Sequence, residues 1–96
     1  MAEITIVLLF LVLFIIDWMQ TLTIAKNPDK YEEQFNPFLK GHPSVKKVNT
    51  FFFILLVILA SVAALLPGDW GIKLLFGWVV IEAAMVVNNY MEGIKP

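Results

Sequence analysis

Residues 4–25 read ITIVLLFLVLFIIDWMQTLTIA, and this stretch decides the fold class of the chain. Its first half consists almost entirely of Ile, Val, Leu and Phe. An α-helix rises about 1.5 Å per residue, so the stretch is long enough to cross a hydrocarbon core about 30 Å thick. The sequence therefore predicts a first transmembrane helix over residues 4–25.

A cleaved signal peptide is the alternative interpretation of this first stretch. Glu3 precedes the apolar run, no Lys or Arg does, and DWMQTLT is not a small-residue cleavage site. We therefore expect the segment to be retained as a membrane anchor.

Two further stretches are apolar and long enough to cross a bilayer. They are VNTFFFILLVILASVAALLP, residues 48–67, and IKLLFGWVVIEAAMVVNNYM, residues 72–91. The PGDWG sequence at their junction favours a tight turn, which makes the two spans a hairpin. Hydrophobic residues form 59% of the chain, against about 45–50% in soluble domains. The predicted fold is all-α: one polytopic membrane domain, residues 1–96, with three transmembrane helices.

The basic residues, all lysines, are concentrated in the predicted loop 26–47, which contains Lys26, Lys30, Lys40, Lys46 and Lys47. Lysine excess marks the cytoplasmic side of a membrane protein. The sequence therefore predicts a cytoplasmic loop, an outside N-terminus and a cytoplasmic C-terminus.

The same loop contains signals for a short interfacial helix. Asn27 is a suitable N-cap and Pro28 fits the first helical position, whereas Pro37 disfavours continuation of the helix. We predict a helix over about 28–35, followed by a bent segment in the headgroup layer. Ser44 is the predicted N-cap of the second span.

Catalytic, metal and nucleic-acid sites are not indicated. The chain has no cysteine and a formal charge of −1, which leaves no thiolate ligand and no basic surface for nucleic acid. His42, the sole histidine, has no soft ligand beside it and is expected to be an ordinary loop residue. Ser44, Ser61 and this histidine do not form a triad. We therefore expect a non-enzyme without a cofactor.

Polar residues lie on one face of the first and third spans. Asp17, Gln20 and Thr21 are spaced i, i+3, i+4, and Glu82 and Asn89 are spaced i, i+7. Asp17 and Glu82 have similar predicted depths, with no basic residue nearby in the spans. Because an ionised carboxylate is costly in hydrocarbon, at least one of the two is expected to be protonated.

Two interpretations of these polar residues remain open. In the first, they form hydrogen bonds that hold the helices together. In the second, the two carboxyls form a proton or cation site, or line a pore made by several copies. The first is favoured, since a transport path needs more polar residues than the spans contain.

Small residues on the second and third spans are candidates for helix packing. Ala60 and Ala64 have small-xxx-small spacing with Ser61 beside them, and Gly77 offers a similar surface on the third span. Such residues let helix backbones approach closely.

The motifs around the first loop resemble a family of small, functionally uncharacterised membrane proteins of bacteria and their phages. Asp17-x3-Thr21 is followed by Glu33-x2-Asn36-Pro37, and Gly41-His42-Pro43-Ser44 precedes the second span. The family pattern is Asp-x3-Thr…Glu-x-Asn-Pro with about three helices, so the present chain has one extra residue before Asn-Pro. The resemblance implies the fold and a bacterial or phage context, and therefore a bacterial inner membrane or a viral membrane, without a mechanism.

The length, three spans and predicted orientation are also similar to those of phage holins. The C-terminal GIKP lacks the basic cluster usual in that class. We therefore expect a structural or accessory membrane subunit that assembles with itself or with a larger membrane complex, with the lipid bilayer as its medium. A holin-like pore-forming lysis protein and a small proton- or cation-conducting oligomer are the alternatives.

Overall fold

The computed structural model describes residues 2–26 and 44–94, which form three α-helices. They are α1 (Ala2–Lys26), α2 (Val45–Leu65) and α3 (Trp70–Met91). Each helix is long and apolar enough to cross a membrane, and no β-strand occurs within the two described ranges. The prediction of an all-α chain with three such helices is confirmed. The interfacial helix predicted over 28–35 lies outside the described residues.

The start of α2 is determined by Ser44. Its side-chain oxygen accepts a hydrogen bond from the Lys47 backbone N–H at 3.1 Å, which satisfies one of the donors left unpaired at a helix N-terminus. The helix therefore begins at Val45 rather than at the predicted Val48, and its two lysines belong to its first turn.

A short turn joins α2 to α3, and Gly71 permits close contact just beyond it. Gly68 in the turn has a φ of 61°, in the left-handed region that favours glycine. A Cβ added at Gly71 would overlap the carbonyl oxygen of Ala63 and would lie 3.0 Å from its carbonyl carbon. Backbone therefore approaches backbone at this end of the hairpin.

Aromatic side chains fill the space between α1 and α2. The Phe14 and Phe52 rings meet edge to face at 5.4 Å, and Trp18 stacks on Phe52 at 5.6 Å. The Trp18 indole N–H also donates to Asn49 Oδ1 at 2.9 Å. These contacts pair later residues of α1 with earlier residues of α2, so the two helices are antiparallel. The buried core cluster comprises Phe10, Phe14, Val48, Phe52, Leu59 and Leu75.

The C-terminus of α3 ends in a Schellman motif. The Ile94 N–H donates to the Asn89 carbonyl at 2.8 Å, and the Gly93 N–H donates to the Tyr90 carbonyl at 3.0 Å. Gly93 has the positive φ of 80° that this motif requires. Ile94 is consequently directed back into the protein, where only 4% of its surface is exposed.

Candidate functional site

Five polar side chains from the middle and C-terminal parts of α1 and α3 are buried between these helices, and we call them the polar seam. Their exposed fractions run from 0% to 5%: Asp17 5%, Gln20 0%, Thr21 1%, Glu82 1% and Asn89 2%. Burial at this level requires hydrogen-bond partners, because an unpaired polar group away from water is strongly unfavourable.

The seam follows from helix periodicity and chain topology. Asp17, Gln20 and Thr21 share one face of α1, and Glu82 and Asn89 share one face of α3 because seven residues make about two turns. The two chain reversals make α1 and α3 parallel. Asp17 therefore lies beside Glu82, and Gln20 lies beside Asn89 further along both helices.

Gln20 forms the fully hydrogen-bonded part of the seam. Its Nε2 donates to the carbonyl oxygens of Val86 at 3.3 Å and Ile94 at 3.5 Å. Its Oε1 accepts a hydrogen bond from Asn89 Nδ2 at 3.0 Å. The amide thereby ties α1 to the last turn of α3 and to the residues just after it.

The Asp17 and Glu82 carboxyls, which we call the carboxyl pair, form the other part of the polar seam. Trp78 donates its indole N–H to Glu82 Oε1 at 3.0 Å, whereas Glu82 Oε2 is buried without a hydrogen-bond partner among the described residues. The Asp17 carboxyl neighbours this group. The buried Thr21 hydroxyl is satisfied within α1, where its Oγ1 donates a hydrogen bond to the Asp17 backbone oxygen at 2.8 Å.

Basic residues do not neutralise the carboxyl pair within the described ranges. The one ion pair there joins Lys73 to Asp69 at 3.6 Å, and both side chains are exposed near the turn. Lys26 ends α1, and the two lysines of α2 belong to its first turn. The described residues also contain no group of three or more His, Cys, Asp or Glu side chains suited to a metal ion.

The residues predicted for helix packing lie on the surface of the single chain. Ala60, Ser61 and Ala64 are exposed on α2, and Gly77 is exposed on α3, where an added Cβ would meet no atom within 4 Å. The close approach between α2 and α3 is made instead by Gly71 against Ala63.

The loop motif is described only at its last residue. Ser44 caps α2. The other residues of the loop motif lie outside the described residues: Glu33, Asn36, Pro37, His42 and Pro43.

Two features that support the seam were missing from the sequence-based prediction. Ile94 supplies a carbonyl to Gln20, and Gly93 supplies the backbone conformation that places it there. A glycine just after a predicted helix, followed by an apolar residue, is the signal that identifies such a motif. The Trp18–Asn49 hydrogen bond had no comparable local signal, because it joins residues from two helices.

Comparison of the chain with protein-family models, with curated proteins and with solved structures gives no match. The structural class consequently rests on the helices and the seam. Three apolar helices of membrane-spanning length are compatible with a small membrane protein, and the polar groups between α1 and α3 are its most distinctive internal feature.

Proposed function

We propose that this chain is an integral membrane subunit with a structural or accessory role, which assembles in the bilayer with itself or with a larger membrane complex. The observation that carries this proposal is the division between its interior and its surface. The central polar side chains of α1 and α3 are buried in the seam, while large apolar side chains occupy the outer faces. Such a surface suits lipid and apolar helices of partner subunits.

Helix α2 is the best candidate for contact with a partner. It is the least buried of the three helices: 17% of the residues in its most apolar stretch are buried, against 28% for α1. Its exposed Ala60 and Ala64 are four residues apart with Ser61 beside them. Small residues at this spacing allow a second helix to approach closely, which favours association in a membrane.

The absence of cysteine permits a direct test by crosslinking. Single Ala64→Cys and Ala60→Cys variants should form disulfide-linked dimers in the membrane faster than Ile58→Cys. Ile58 is also exposed, but residues two apart on a helix do not share a face, which makes it a matched control for Ala60.

Self-assembly through this face is supported if the alanine positions crosslink preferentially. Assembly with a larger complex is supported if they do not, but the full-length chain copurifies stoichiometrically with defined membrane subunits after mild solubilisation. Equal crosslinking at all three positions together with a monomeric, partner-free chain would refute the proposal.

The proposed setting is a bacterial inner membrane or a viral membrane, with the N-terminus outside and the C-terminus cytoplasmic. The lysines around the first loop support this orientation by the positive-inside rule. Labelling of a cysteine added at either terminus with a membrane-impermeant reagent tests it. Labelling of the C-terminal cysteine in intact cells would refute the proposed orientation.

A proton- or cation-conducting oligomer is the second candidate function. The observation in its favour is the unpartnered, buried Oε2 of Glu82 beside Asp17. Purified protein in liposomes should then conduct protons or cations, and Glu82→Gln should abolish the flux. A holin-like pore would instead pass larger solutes and depolarise a bacterial host when overproduced.

A further inference from the structure

The hydrogen bonds of Glu82 are incomplete within the described part of the chain. The residue is 1% exposed. Its Oε1 accepts from the Trp78 indole N–H, whereas its Oε2 has no partner. An ionised carboxylate has only acceptors, so the second oxygen requires a donor. A buried polar atom left without one destabilises the fold by about 1–3 kcal/mol, and more when it is charged.

The groups around Glu82 narrow the choice of donor. The ionisable group that interacts with it is the Asp17 carboxyl on α1, which is also an acceptor when it is ionised. Two neighbouring carboxylates would therefore repel each other without forming a hydrogen bond. A proton on one of them converts that oxygen into a donor and removes one of the two charges.

Basic residues on the packed helices do not supply the missing donor within the described ranges. Lys26 terminates α1, and Lys46 and Lys47 lie in the first turn of α2. Lys73 on α3 is paired with Asp69 near the turn. Asp17 and Glu82 are the two buried ionisable groups of the described chain, and they face each other from α1 and α3.

We propose that Asp17 and Glu82 form an intramembrane proton-binding site, in which a proton on Glu82 Oε2 is donated in a hydrogen bond to the Asp17 carboxyl. Trp78 determines which oxygen carries the proton, because its N–H already occupies Oε1 and is a donor only. The bound proton links α1 to α3 at the end of the seam opposite Gln20 and Asn89. When the proton leaves, two negative groups remain between the helices, and α1 moves away from α3 around this pair only.

A proton fits this site better than a metal cation does. Cations such as Ca²⁺ require six to eight oxygen ligands in proteins, and Mg²⁺ requires about six, many of them from water. The seam supplies two carboxyl groups that are at most 5% exposed, and no third His, Cys, Asp or Glu side chain joins them within the described residues. The Gln20 amide oxygen already accepts a hydrogen bond from Asn89. A proton needs one donor oxygen and one acceptor oxygen, which this pair supplies.

Infrared spectroscopy of the full-length chain in lipid vesicles tests the site directly. The wild type should show the carbonyl band of a protonated carboxyl at neutral pH, and the band should shift to lower frequency in D₂O. Glu82→Gln and Asp17→Asn should each shift it, because one buried carboxyl remains with a changed partner, and the Asp17→Asn/Glu82→Gln double variant should remove it. Glu92→Gln is the matched control, because Glu92 is exposed just after α3, and this variant should keep the band.

Stability measurements distinguish proton binding from simple hydrogen bonding. A proton bound only in the folded state stabilises the fold at low pH, and this contribution is lost as pH rises and the proton leaves. The wild type should therefore lose stability on alkalinisation. The Asp17→Asn/Glu82→Gln double variant replaces both carboxyls with amides that do not titrate, so its stability should be insensitive to pH over the same interval.

Three results would overturn the proposal. The first is a wild-type spectrum without a protonated-carboxyl band, which needs no variant and holds whether or not the variants fold. The second is a band that persists in the Asp17→Asn/Glu82→Gln double variant. The third is loss of the wild-type band on addition of Na⁺ or Ca²⁺ at fixed pH, which would identify a cation site instead. None of these measurements depends on the crosslinking of α2, so each proposal can fail alone.

Discussion

Replacing Gln20 with leucine should destabilise the packing of α1 against α3. The substitution removes the two hydrogen bonds from Nε2 to backbone carbonyls, at 3.3 and 3.5 Å, and the bond from Asn89 at 3.0 Å. Side-chain hydrogen bonds between membrane helices contribute about 0.6 kcal/mol on average and at most about 1.7 kcal/mol. The three together predict a loss of about 2 kcal/mol, and the short Asn89 bond should contribute the largest part.

A double-mutant cycle isolates that bond. Gln20→Leu and Asn89→Leu should together destabilise the protein less than the sum of the single changes, with a coupling free energy of about 0.6–1.7 kcal/mol. Asn88→Leu is the matched control. Asn88 is half-buried beside Asn89 on α3, and its side chain forms no hydrogen bond with the described residues, so its coupling to Gln20 should be close to zero.

Reversible unfolding of the full-length chain in detergent micelles provides the free energies, with tryptophan fluorescence as the signal. The chain contains three tryptophans, and Trp18 and Trp78 contact the core and the seam respectively. Additivity within about 0.3–0.5 kcal/mol is the range observed for independent sites. A Gln20–Asn89 coupling inside that range, equal to the Asn88 value, would show that this hydrogen bond does not hold the helices together.

Three further substitutions, with their controls, test the α2–α3 hairpin, the end of α3 and the start of α2. Gly71→Ala should lower the free energy of unfolding by about 1–3 kcal/mol, because the added Cβ overlaps the Ala63 carbonyl. In the control Gly77→Ala the added Cβ meets no atom within 4 Å, so the free energy of unfolding should rise by up to about 1 kcal/mol through helix propensity. Equal unfolding free energies for the two variants would contradict the close approach. Gly93→Ala should lower the free energy of unfolding by about 1–2 kcal/mol, because Gly93 has a φ of 80° that is unfavourable for alanine. Hydrogen exchange at the end of α3 should become faster, and unchanged exchange would argue against the Schellman motif. Ser44→Ala should lower the free energy of unfolding by about 1 kcal/mol and speed hydrogen exchange in the first turn of α2. Ser44→Asp should retain the cap and the slow exchange. Identical exchange in both variants would exclude a capping role.

The three helices were predictable because their signal is local. Each apolar run is long enough by itself to form a membrane-spanning helix, and the PGDWG sequence identifies the turn without reference to the rest of the fold. The polar faces were similarly readable, since Asp17 and Gln20 follow helical spacing in one segment and Glu82 and Asn89 in another. Their similar predicted depths were consistent with the pairing that the structure contains.

The partners of small residues were not predictable in the same way. Small-xxx-small spacing indicates that a backbone can approach closely, but it does not specify which helix approaches. Ala60 and Ala64 have this spacing and are exposed in the single chain, whereas Gly71 makes the close contact with Ala63 from a position that the sequence indicates only as a turn. The choice depends on how the hairpin rotates about its axis, which the aromatic contacts of α1 with α2 help to determine.

The two ends of the polar seam differ in how completely their side chains are hydrogen-bonded. Gln20 has partners for both its amide nitrogen and its oxygen, so this end can hold α1 and α3 together without any titrating group. One turn away, Glu82 has one oxygen paired and the other unpaired beside Asp17. The neutral hydrogen bonds of Gln20 maintain the helix contact at any pH, because they contain no titrating group. The carboxyl pair maintains the contact only while a proton is bound. Loss of the proton should therefore open the seam at the Asp17–Glu82 end while the Gln20 end stays closed, which would let the chain respond to pH without dissociating its helices.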